Sequence, residues 1–217
     1  MIAIIPSIGK SGMLPDLLNV LNRAKVTTII VDNWESPTEA KNYAYDGGAI
    51  YMHRPGWNIY KTWNLGIRLG ALRKEPVLVL NDDIALTVEG VLAMEEALEI
   101  DDWAILGFDY DTPVWQGYRD RGYRKVNGTF RLGGIGGFAY GVNPRKCGRC
   151  HQGFIWYGGD DDLMYHTLKL GGKLGIMLGN PVGHATSTTG RLTTPLLPEG
   201  WFEHDRQLLL ARWGETW

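Results

Sequence analysis

Two clusters of carboxylates carry most of the chemical potential of this 217-residue chain. The first ends an apolar run, Val77-Leu78-Val79-Leu80-Asn81-Asp82-Asp83, which reads as a buried strand delivering two acids to a sheet edge. Open α/β sheets bind their ligands at such edges. Successive strand residues point to opposite sides, so at least one of Asp82 and Asp83 can face a cation from a rigid position. The second cluster, Trp156-Tyr157-Gly158-Gly159-Asp160-Asp161-Asp162-Leu163, opens a helical run to about Leu170. One acid there serves as a cap or complements the macrodipole, and three need a further reason. Taken alone, either cluster is also explained by a solvated turn or a helix start. Together they supply what transfer from a diphosphate requires: a metal carboxylate for the leaving phosphates and a separate carboxylate to deprotonate an attacking hydroxyl. Trp156 and Tyr157, with the two glycines, make a wall and floor for a sugar-like acceptor. Val182-Gly183-His184-Ala185-Thr186 follows a strand candidate at 173–178 and brings an imidazole within reach of the same metal. A structural histidine is the plainer alternative.

Positioning these groups falls to short β-branched runs at 2–6, 26–31, 49–52, 77–81 and 103–108, alternating with helical patterns at 14–23, 38–45, 59–73 and 88–99. This alternation predicts an α/β fold, a doubly wound and mostly parallel sheet covered on both faces. After residue 110 the pattern changes to Tyr, Trp, Arg and Gly. The stretch Leu132-Gly133-Gly134-Ile135-Gly136-Gly137-Phe138-Ala139-Tyr140 is not a dinucleotide fingerprint, which belongs in the first strand-to-helix turn. Glycine here is expected to let a ligand approach the backbone. Residues 201–213 read as an amphipathic helix packed on the core, its mixed charges unlike a lysine-rich membrane-surface helix.

The composition, 44% hydrophobic and 21% charged, suits one globular domain with a sizeable core. Met1 to Pro6 is apolar but lacks a basic leader and is too short for a signal peptide or a membrane span, so a cytoplasmic protein without membrane insertion is expected. Cys147-Gly148-Arg149-Cys150-His151 spells a haem-attachment pattern or half a zinc site. Without an export signal or further cysteines, two reduced thiols in a loop and no haem are the expectation. Net charge is −2, yet residues 119–149 hold Arg119, Arg121, Arg124, Lys125, Arg131, Arg145, Lys146 and Arg149 against Asp120 alone. That +7 window leaves −9 on the remainder, so something anionic is expected to dock on one side. The window is interleaved with Trp115, Tyr118, Tyr123 and Phe130, phosphate contacts beside stacking faces, as on nucleic-acid surfaces. A solvated hairpin would look the same.

The order of these pieces resembles the GT-A glycosyltransferases, nucleotide-sugar enzymes with a Rossmann-like sheet, over most of residues 1–190. Asn81-Asp82-Asp83 is similar to that family's Asp-x-Asp motif with asparagine first. The resemblance implies that Asp83 holds a divalent cation, with Asn81 and Asp82 near the ribose and diphosphate. It places Pro6 at the nucleotide base and Asp32 and Asn33 at the uracil or ribose. Gly56-Trp57-Asn58 and Trp63-Asn64-Leu65-Gly66 are similar to a paired asparagine stretch that contacts the nucleotide, here through Asn58 and Asn64. Trp156 to Leu163 looks like the Trp-x-Gly-Gly-Glu-Asp-Asp-Asp segment of inverting galactosyltransferases, with one acid fewer. Registering on Leu163 makes Asp160 the catalytic base, and registering on Gly158-Gly159 makes it Asp161. His184 falls where such enzymes place a metal histidine.

By that resemblance, residues 1–217 form one domain. About 1–110 bind the nucleotide-sugar, about 111–190 carry the acceptor side and catalysis, and 200–217 form a C-terminal helix. The implied reaction is inverting transfer of a hexose, from UDP above all, to a hydroxyl. Mn²⁺ suits an oxygen-rich site with one imidazole better than Mg²⁺. Trp156, Tyr157, Arg121, Arg124 and Lys125 would hold the acceptor. Compact enzymes of this fold include bacteriophage proteins that glycosylate hydroxymethylated DNA bases, which puts DNA beside glycans and proteins among the acceptors. Two other classes remain open: a nucleotidyltransferase, for which Ser7 to Gly12 lacks the first glycine of a phosphate loop, and a non-catalytic sugar-binding module.

Overall fold

The structure, a computed structural model, describes residues 1–109, 123–125, 135–185 and 197–214. Among these, strands β1 (Ile2–Ser7), β2 (Thr27–Asp32), β3 (Ile50–His53) and β4 (Val77–Leu80) alternate with helices α1 (Leu14–Arg23), α2 (Ala40–Asp46) and α3 (Ile59–Arg73). There follow β5 (Ile84–Ala85), α4 (Val88–Ile100), β6 (Ile105–Asp109), β7 (Tyr123–Lys125) and β8 (Ala139–Val142). The last elements are α5 (Gly159–Lys169), β9 (Leu174–Pro181), β10 (Gly183–His184) and a C-terminal helix, α6 (Trp201–Trp213).

The main sheet has the order β3-β2-β1-β4-β8-β6-β9-β7. Six of these strands run one way, while β8 and β7 oppose their neighbours. The antiparallel β8, between β4 and β6, departs from a purely alternating βα reading. Side chains alternate between the faces. Ala3, Ile5, Leu78 and Leu80 pack under α1, α2 and α4, and Ile2, Ile4, Val77 and Val79 pack under α3, α5 and α6. Burial on both faces is why β1 and β4 read as unbroken apolar runs. Each such Ile, Leu or Val contributes roughly 1.5–3 kcal/mol on burial.

From β1 the chain winds outward through β2 and β3, then crosses back so that β4 lies on the other side of β1. The C-terminal ends of β1 and β4 therefore flank the crevice where the strand order reverses, the preferred ligand position in an open sheet. Beside it, β5 and β10 pair antiparallel, with His184 opposite Ile84 and the Ala185 N–H donating to the Asp83 carbonyl at 3.0 Å. This two-stranded clip carries the chain after β9 back to the end of β4.

No described helix is long and apolar enough to cross a membrane. The inward stripe of α6, including Leu208, Leu209 and Trp213, is interrupted by a fully buried Asp205, so it is not the simple apolar face expected. Arg124 and Lys125 lie on β7. Arg119, Arg121, Arg131, Trp115, Tyr118 and Phe130 lie outside the described residues.

Candidate active site

A cleft of about 780 Å³ opens at the switch point, a volume in the range of small-molecule sites. Pro6, Ser7 and Ile8 from the end of β1 meet Asn33, Trp34 and Glu35 from the end of β2. Opposite them stand Asn81, Asp82, Asp83 and His184, with Trp57, Asn58 and Trp156 along the side. Of the residues singled out in the sequence, Pro6, Asn33, Asn58, Asn81, Asp82, Asp83, Trp156 and His184 thus share one cavity.

Asp82 and Asp83 are both almost fully buried. The Ser7 hydroxyl donates to Asp82 Oδ2 at 2.6 Å and so ties the β1 and β4 ends together across the crevice. Asp83 differs: its Oδ1 is buried, accepts no hydrogen bond among the described residues, and lies 3.3 Å from His184 Nε2. An unmet buried carboxylate oxygen costs on the order of a few kcal/mol, which a bound cation would relieve. The 3.3 Å separation is close to that of two neighbouring ligands on a cation with bonds of about 2.2 Å. No third acid, histidine or cysteine joins them among the described residues, so further ligands would come from a diphosphate or water. The pair fits a divalent cation on these grounds. Phe138 stacks on the His184 ring at 4.2 Å between centroids and fixes its plane.

The second cluster follows Ile155 and Trp156 in sequence, at the start of α5. Neither Asp160 nor Asp161 is among the residues lining the cleft. Gly158 takes a left-handed φ of 79° and caps α5, which puts all three acids in the first turn. Asp162 is fully buried and structural. Its Oδ1 accepts from Arg212 Nε at 2.6 Å and Trp213 Nε1 at 2.7 Å, and its Oδ2 from the His151 N–H at 2.6 Å. Asp160 and Asp161 are left for other work. Burial pushes both carboxyls upward. The Asp160 rise is opposed by the main-chain N–H groups of Asp160 and Asp161, and the Asp161 rise is reinforced by the charge of Asp160. A raised carboxyl is a stronger proton acceptor once ionised, while Asp161, pushed up to about 9, keeps its own proton at neutral pH.

Asp160 Oδ2 packs directly against Gly137, where a Cβ would collide with it. The glycine run was expected to admit a ligand. At Gly137 it admits this carboxylate, and the next residue, Phe138, reaches His184. Asp160, Gly137, Phe138, His184 and Asp83 thus form one chain of touching groups from the second cluster to the first. Gly137→Ala is therefore expected to displace Asp160 and lower turnover by more than about tenfold with donor binding kept, checked by donor titration beside steady-state kinetics.

The remaining expected contacts are occupied elsewhere. Asp32, expected at the uracil or ribose, does not face the cleft. Its carboxylate accepts from the Trp34 N–H, the Thr38 N–H and hydroxyl, and the Tyr51 hydroxyl, at 2.7–3.1 Å. It props up the loop that presents Asn33 and Trp34. Asn64 lies outside the cleft and clamps both main-chain groups of Cys150. Asn58 lines the cleft but caps α3 and donates to the Phe154 carbonyl at 2.6 Å. Asn33 donates to the Trp57 carbonyl at 3.0 Å. Tyr157 is half exposed and stacks on Trp201 at 5.7 Å instead of facing the cleft. Cys147 and Cys150 are free thiols, with burial pushing Cys147 up to about 12 and Cys150 well above its usual value.

Trp34, Phe138 and Asp205 were missed by sequence reasoning. Trp34 had a signal, an aromatic directly after a strand end. Asp205 had none, since an acid inside a polar helix reads as solvated. Its two oxygens accept from the N–H groups of Ile155, Trp156 and Tyr157 at 2.7–2.9 Å. Asp205→Ala would leave these three donors unmet and is expected to cost roughly 3 kcal/mol. At about 2–4 °C per kcal/mol the loss is readable in a melting curve.

No family model and no curated protein sequence matches this chain. Solved structures do. It is similar to GalNAc-T7 crystallised with UDP, GalNAc and Mn²⁺, with a TM-score of 0.53 and 13% identity over 84% of this chain and 43% of that one. It is also similar to the 1–349 portion of S. aureus TarS, with a TM-score of 0.59 and 13% identity over 99% of this chain and 65% of that one. The chain spans less than two thirds of either structure. The likeness is one of fold, the GT-A, Rossmann-like arrangement of a mostly parallel sheet between helices.

Proposed function

We propose that this chain is a metal-dependent glycosyltransferase that moves a hexose from a UDP-sugar to a hydroxyl, with inversion at the anomeric carbon. The observation that carries the reading is the meeting of Asp83 and His184, from two different strand ends, in a nucleotide-sized cleft at the switch point. The GT-A fold supports it, as do the UDP and Mn²⁺ that GalNAc-T7 was crystallised with.

Asp83 and His184 would hold the cation, Mn²⁺ in preference to Mg²⁺ by ligand type. When bound it supplies charge neutralisation for the departing diphosphate. Trp34, Asn33 and Pro6 would receive the nucleoside, and Asp82, locked by Ser7, would lie beside the ribose and diphosphate. The acceptor hydroxyl oxygen bonds to the anomeric carbon as the bond from that carbon to the diphosphate oxygen breaks. The hydroxyl proton would go to Asp160 through an intervening water, since Asp160 does not line the cleft, and the electron pair leaves with the nucleoside diphosphate. Asp161 would stand beside Asp160 with its own carboxyl raised by burial and by the Asp160 charge. Trp156 would face the acceptor, and Arg121, Arg124 and Lys125 would attract it if it is a polyanion such as DNA.

A thermal-shift screen of UDP, GDP, CDP and dTDP sugars, each with Mn²⁺ and with EDTA, tests the reading, because a ligand that binds only the folded state raises the melting temperature. A Mn²⁺-dependent shift with one nucleotide supports it. No shift with any donor would discard it.

A further inference from the structure

A second cavity, of about 480 Å³, lies across Trp57 from the donor cleft. Lys61, Leu65 and Arg68 from one face of α3 line it, with Arg149 and Gln152 from the loop before α5. The two segments that build it, 54–74 and 143–159, hold Arg54, Lys61, Arg68, Arg73, Lys74, Arg145, Lys146 and Arg149 and not one acid. We propose that this cavity is an anion subsite that takes a phosphodiester group of the acceptor chain. In naming the ligand as acceptor it rests on the glycosyltransferase reading.

Some surface cations on this protein pair with acids. Lys146 and Lys173 pair with Asp102, Arg206 with Glu203, and Arg212 with Asp162. Lys61, Arg68 and Arg149 make no such pair among the described residues, although they converge on one concavity. On a chain of net charge −2, that concentration is local. The floor is rigid, because the Asn64 side chain bonds both the N–H and the carbonyl of Cys150 at 3.1 and 2.7 Å. A preorganised floor lets cations hold an oxyanion at small entropic cost. Arg54 lies 5.9 Å over the ring of Trp57, which both cavities share.

The position relative to the cleft gives the subsite its purpose. Trp57 belongs to both cavities, and the loop carrying Arg149 and Gln152 continues to Ile155 and Trp156 in the cleft wall. The cleft itself presents Glu35, Asp82 and Asp83, which repel a polyanion. An acceptor with a hydroxyl in the cleft and a phosphodiester one or more units away would be anchored across Trp57, its charge met by the three cations.

The test uses a short abasic phosphodiester oligomer, which has the backbone charge and no bases, labelled for fluorescence anisotropy at low salt. Wild-type protein and the Arg68→Ala/Arg149→Ala double variant are compared, with UDP–Mn²⁺ binding measured in the same samples. The wild type is expected to bind the oligomer with log K falling as salt rises. In the double variant binding weakens and that slope shrinks by roughly 0.7 for each phosphate that is no longer neutralised, with UDP binding unchanged. No wild-type binding at low salt, or equal binding by the double variant, would overturn the proposal. Displacement of the oligomer by inorganic phosphate at matched phosphate concentration would overturn the assignment to a polymer. Oligomer binding without UDP binding would retain the anion site and remove the transferase reading, so the two failures are distinguishable.

Discussion

Replacing Asp83 with alanine is expected to abolish sugar transfer while leaving the protein folded. Its buried Oδ1 accepts no hydrogen bond among the described residues and faces His184 across 3.3 Å. Loss of the cation would forfeit several kcal/mol of stabilisation of the leaving diphosphate, a fall of about a thousandfold or more at roughly tenfold per 1.36 kcal/mol. The contact with the β5–β10 clip survives, because it is made by the Asp83 carbonyl. In EDTA the melting temperature of Asp83→Ala should therefore equal or exceed that of the wild type, since a costly buried oxygen has gone. Transfer from a UDP-sugar and melting with and without Mn²⁺ together check this. A variant that unfolds would indicate a structural carboxylate, and one with full activity would remove Asp83 from the metal site.

Asp160→Asn and Asp161→Asn are expected to differ in kind. If Asp160 takes the acceptor proton, its amide loses about 10²–10⁴-fold in turnover, the usual worth of a positioned base. Asp161→Asn should stay active and keep the acid limb of the pH profile near its wild-type position, because burial and not the Asp161 charge holds the Asp160 carboxyl high. In the wild type that limb should lie well above about pH 4, the ordinary aspartate range. Profiles of kcat/KM for the three proteins decide between the two registers, and the reverse pattern would make Asp161 the base. Stability carries the same sign. With folded-state values raised above the unfolded ones, the pair's contribution is complete below the unfolded pKa of about 3.9 and is lost as pH rises through the raised values. Asp161→Asn should thus melt higher than wild type at neutral pH, with the gap closing towards about pH 4.

Much of the scaffold was legible because it rests on local patterns. The buried runs of β1 and β4 and the periodic faces of α1 and α3 read directly from residue type. The pairing of Asp83 with His184 was also within reach, since both follow strands and strand ends gather at one edge. What escaped were long-range partnerships. The antiparallel insertion of β8 depends on pairing with Val77–Leu80 and Ile105–Gly107, which no local period encodes. Asp32 and Asn64 have the residue types of nucleotide contacts, yet their polar atoms are taken by Thr38, Tyr51 and Cys150 from other segments. Asp205 is buried only because the 155–157 loop brings three N–H groups to it. The basic face of α3 was overlooked for a related reason: its charges are spread at helical spacing, and only the fold joins them to Arg149.

The most direct measurement is a calorimetric titration of UDP into the wild-type protein, once with saturating Mn²⁺ and once in EDTA, repeated with His184→Ala. If Asp83 and His184 hold the cation that receives the diphosphate, UDP binds at least about tenfold tighter with Mn²⁺, a difference of about 1.4 kcal/mol, and His184→Ala loses most of that gain. Equal affinity in Mn²⁺ and EDTA would contradict a metal-dependent donor site in this cleft.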